Sequence, residues 1–106
     1  SAITKFTSSF KPSWTTRIAS TGNTLAANGP AKSFYVALEP TAAIKGLAPV
    51  KLAKGQSVIL QFDSKGLLIA AFTSPELSQV KSISYSQIGG LFIDSANGIF
   101  RVGVTK

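Results

Sequence analysis

The chain has 106 residues, a length that suits one domain and leaves no room for two. It carries eleven Lys and Arg against four Asp and Glu, a net charge of +7, and it has no His, Cys or Met. Those zeros exclude disulfides, thiolate chemistry, imidazole general bases and every His- or Cys-ligated metal site from this chain.

Hydrophobic residues make up 44% and charged residues 14%, a balance that suits a folded domain and not a disordered one. The charge is uneven. Residues 1–38 hold Lys5, Lys11, Arg17 and Lys32 and no acid; the first acid is Glu39. An unopposed positive field attracts phosphates, anionic lipid or acidic protein. The plainer reading is that the charge keeps a Ser/Thr-rich surface soluble. The longest apolar run, Leu67–Phe72, is far short of the roughly 20 residues that span a bilayer, so no membrane partner is expected. The first five residues contain no apolar leader core. An intracellular or virion setting fits the lack of cysteine.

In chain order, Phe6, Phe10, Trp14 and Ile18 recur every four residues. That spacing fits one face of a helix and also one face of a strand. Ser, Thr and β-branched residues dominate and Pro12 sits mid-segment, so residues 5–18 are expected to be extended. In one regular strand the aromatics face one side, and Lys5, Lys11 and Arg17 the other. A bulge at Pro12 would set Trp14 beside Lys11. Phe6 and Phe10 are read as core, and Trp14 either as core or as ligand-facing. Ser20–Pro30 is a flexible loop by composition.

From Ala31 onward the chain reads as short strands. In Lys32–Leu38, Phe34, Val36 and Leu38 share a face, which leaves Tyr35 on the other, expected to be exposed. Pro40 to Lys45 is expected to form a helical turn, and Pro49–Ala53 a strand. Ser57–Phe62, the turn Asp63-Ser64-Lys65-Gly66 and Leu67–Phe72 form the clearest hairpin. Ser74-Pro75-Glu76 carries a helix-start signal, and Lys81–Tyr85 alternates again. A second hairpin runs Gly90–Ile93, Asp94–Gly98, Ile99–Val104. Gly89-Gly90 suggests a bulge or sharp bend. The expected fold is therefore all-β: one small barrel or strongly twisted antiparallel sheet, OB-like in one form, with six or seven strands and one or two short helical turns.

Each of the four acids is explained by a turn, a strand end or a helix start, and no glycine spacing matches a phosphate loop. No enzyme activity, cofactor or metal is expected. One functional signal remains, aromatic residues interleaved with cations before the first acid. Single-stranded nucleic acid is held by a positive groove that tracks phosphates and by rings on which bases stack. Lys5, Lys11, Arg17 and Lys32 are the candidate phosphate contacts, and Trp14 and Tyr35 the candidate stacking residues. The expected activity is sequence-tolerant binding of single-stranded nucleic acid, DNA ranked ahead of RNA, by a homo-oligomer. The alternatives are a viral coat, decoration or assembly protein and, less well supported by the scarcity of acids, a carbohydrate-binding module. In size, basicity and the strand Gly90–Asp94 the chain is loosely similar to the small single-stranded-DNA-binding barrels of filamentous phages. No residue role is carried over from them.

Overall fold

In the computed structural model, which describes residues 2–6, 9, 11–42, 44, 52 and 55–102, strands dominate. β1 (Ala2–Phe6) pairs with β2 (Pro12–Arg17). β3 (Ser20–Asn28), β4 (Phe34–Pro40), β5 (Gln56–Phe62) and β6 (Leu68–Ser78) form a four-stranded sheet in chain order. β7 (Ser82–Ser86), β8 (Gly90–Ser95) and β9 (Gly98–Val102) form a third sheet. All pairings are antiparallel. The all-β expectation holds. The barrel alternative does not: among the described residues no ladder joins β3 to β6, and the three sheets stay separate.

The four-stranded sheet is the middle layer, because alternation makes both of its faces apolar. Val36, Leu38, Val58, Leu60 and Phe62 cluster with Ile18, and Ile3 and Phe34 pack against them. On the opposite face Tyr35, Ala37 and Ile59 cluster with Leu91 and Ile93 of β8. The β1–β2 hairpin thus covers one face and β7–β9 the other. Ile59, Leu60 and Ile93 have no exposed surface; truncating any of them to Ala would cost about 2–5 kcal/mol.

Several local expectations change. Residues 5–18 form a hairpin and not one strand. Its register shifts where Phe6 meets Pro12, a residue that cannot donate to a ladder. The shift expected at Pro12 is thus present, and in the ladder Trp14 lies opposite Lys5. Ser20–Pro30 is not a loop. β3 occupies most of it, and the irregular stretch is confined to Gly22–Thr24, where the register with β4 shifts. Pairing with β4 overrides the turn-like composition. A single 3-10 turn, Pro30–Lys32, is the helical element among the described residues. Ser74-Pro75-Glu76 starts no helix and continues β6. Five residue steps from Thr73 to Ser78 face two steps from Val58 to Gln56, so Pro75 sits in a bulge that needs no ladder donor. The glycine pair closes the β7–β8 hairpin, with Gly90 at φ 87° opposite Ser86. The expected helical turn after Pro40 and the strand Pro49–Ala53 lie largely outside the described residues.

Candidate nucleic-acid interface

The turn between β5 and β6 forms as its residues require. The Asp63 carboxylate accepts the backbone N–H groups of Lys65 at 2.8 Å and Leu67 at 3.0 Å, and Gly66 takes φ 86°. This turn docks against the β1–β2 hairpin. Trp14 Nε1 donates to the Ser64 carbonyl at 3.0 Å, and Lys5 Nζ donates to the same oxygen at 3.3 Å. The Trp14 indole stacks on Phe34, with centroids 5.2 Å apart and planes 19° apart, and Phe34 stacks on Phe62. A β-carbon on Gly66 would lie 2.7 Å from Trp14 Cδ2. The half-buried indole is therefore committed to the interior contact between two layers.

The expectation that Tyr35 is exposed is corrected. Tyr35 does point away from Phe34, Val36 and Leu38, but the third sheet covers that side and leaves it 8% exposed. Its ring lies 5.9 Å from that of Tyr85 and abuts Gly29. Burial, and secondarily the neighbouring Tyr85 phenol, raise its pKa above the usual 10.0. A buried ring so occupied offers no platform for a base. The side chain of Phe6, and Phe10 altogether, lie outside the described residues, so their expected core role has no counterpart here.

The four candidate cations do not form one row. Lys5 reaches the Ser64 carbonyl. Arg17 closes the far end of the β1–β2 ladder opposite Ala2. Lys32 sits in the 3-10 turn at φ 62°, next to Ala31 at φ 53°. Lys11 precedes β2. All four are exposed, and so are Lys65, Lys81 and Arg101, which are the other cations among the described residues. Of the acids, Glu39, Asp63 and Asp94 are half-buried and only Glu76 is exposed. A cavity of about 370 Å³ is lined by Gly22, Leu38, Glu39, Ser57, Val80 and Lys81, among others, and none of the six sequence-predicted site residues reaches it.

Sequence reasoning missed Phe92. It is the one exposed aromatic among residues whose side chains are described, and it stands opposite Arg101 in the β8–β9 ladder. The available signal was parity: with Leu91 and Ile93 turned inward, Phe92 must point out. The chain matches no family model, no curated protein and no solved structure.

Proposed function

We propose that the chain is a non-enzymatic, sequence-tolerant binder of single-stranded nucleic acid that works as a homo-oligomer. One observation carries this reading: every Lys and Arg among the described residues is exposed, while three of the four acids are half-buried in turns and ladders. The cations among the described residues are thereby turned outward, and a phosphate chain meets them before carboxylates. A structural or assembly role is the second reading. Exposed apolar side chains favour it, chiefly Ile88 at 95%, Ile99 at 75% and Leu67 at 62%.

Light scattering on a gel-filtration column, at low salt and with or without a short oligonucleotide, tests both. The expected result is a dimer or larger closed assembly whose mass rises with the oligonucleotide. An assembly that ignores the oligonucleotide would favour the second reading. A monomer of 11.1 kDa that ignores it would contradict both.

A further inference from the structure

Alternation on β7–β9 turns Ile83, Tyr85, Leu91, Ile93, Phe100 and Val102 toward the core, so the residues between them face out. Ser84, Phe92 and Arg101 form one outward cross-strand row. Two contacts fix that row on a single residue, Gly89. The Phe92 ring lies where a β-carbon on Gly89 would be, 2.8 Å from both Cε2 and Cζ. Arg101 Nε donates to the Gly89 carbonyl oxygen. That bond uses Nε and leaves the two terminal guanidinium nitrogens for an oxyanion. Directly opposed side chains in a ladder start about 5 Å apart. A fixed ring and a fixed guanidinium therefore stand side by side on an exposed sheet face.

We propose that Phe92 and Arg101 form a base-stacking and phosphate-binding site for single-stranded nucleic acid, on a layer separate from the β1–β2 hairpin. This rests on the nucleic-acid reading above and supplies the ring that Trp14, stacked on Phe34, and Tyr35, buried, do not. One base lies on Phe92 and an adjoining phosphate on Arg101. The site has a direction. Asp94 and Ile99 form the next outward row, so a phosphate is repelled at that end and settles at the Gly89 end.

The test is fluorescence anisotropy at low salt with a labelled oligothymidylate and an abasic strand of equal length. Phe92→Ala should weaken oligothymidylate binding roughly 5- to 150-fold, the range for losing one stacked base, and leave the abasic strand unaffected. Arg101→Gln should weaken both strands, and Phe92→Trp should retain binding. Matching Trp14 emission spectra verify that Phe92→Ala and Arg101→Gln are folded, and a matching far-ultraviolet circular dichroism spectrum does so for Phe92→Trp, which carries a second Trp. If the parent binds and Phe92→Ala binds equally well, the site is wrong and the function stands. Should Phe92→Ala instead split a parent assembly into smaller units, the face is an interface between copies, as exposed Ile88 and Ile99 would serve, and the proposal is overturned. A parent that binds neither strand overturns both the site and the nucleic-acid reading.

Discussion

Trp14 Nε1 and the Ser64 carbonyl oxygen, 3.0 Å apart, tie the β1–β2 hairpin to the turn of the middle sheet across fifty residues of sequence. Lys5, the ladder partner of Trp14, reaches the same oxygen. One backbone carbonyl thus receives two side chains of the outer layer. Trp14→Phe keeps a ring against Phe34 and removes the donor, so it should cost about 1 kcal/mol. Trp14→Ala also removes the stacked surface and should cost about 3 kcal/mol. Urea denaturation measures both; a Trp14→Phe variant as stable as the parent would mean that the hydrogen bond contributes nothing, and equal costs for the two variants would mean the same of the stacked ring.

The two hairpin glycines should differ under substitution. Gly66 takes φ 86° and also leaves room for the Trp14 indole, whereas Gly98 takes φ 125° with nothing within 4 Å of its missing β-carbon. Gly98→Ala bears conformational strain alone, about 1 kcal/mol. Gly66→Ala adds a clash with a packed ring and should cost about 2 kcal/mol or more. Similar midpoints for the two variants in denaturant would contradict the close approach of Gly66 to Trp14.

Much of this fold is legible in the sequence from Phe34 onward. Alternation in Phe34–Leu38 and Ser57–Phe62 gives two apolar faces, and Asp63 and Gly66 name their own turn. What alternation leaves open is what covers each face. Tyr35 lies on the side expected from parity, but its burial depends on β8, more than fifty residues away. β3 was hidden because Ser20 to Asn28 owes its extension to β4 and not to its own residues. The same remoteness concealed Phe92, whose outward position follows only once Leu91 and Ile93 are known to be core.

Tyr35 should give the protein an alkaline limit. Its pKa is raised in the folded state, first by burial and then by the Tyr85 phenol. The unfolded chain therefore loses this proton at a lower pH than the folded one. Stability from the neutral phenol is complete below about pH 10 and is lost as pH rises toward the folded value. Tyr35→Phe should unfold less steeply above that pH than the parent. Parallel stability curves for the two proteins through this range would contradict the burial of the phenol.

The Trp14 emission should not respond to nucleic acid. The indole is half-buried, stacked on Phe34 and held close to Gly66, so these contacts occupy the ring that a bound base would need. A titration with oligonucleotide should bring unlabelled protein to saturation, read by light scattering, with the emission spectrum unchanged. Quenching would place the bound strand on the β1–β2 hairpin and not on β7–β9.

The dependence of oligothymidylate affinity on salt tests the central claim most directly. If about three to five of the outward cations neutralise phosphates in each subunit, log K should fall against log salt with a slope of roughly −2 to −3.5. Arg101→Gln should flatten that slope by about one unit or less. A slope near zero, or no affinity even at low salt, would contradict the reading of this chain as a nucleic-acid binder.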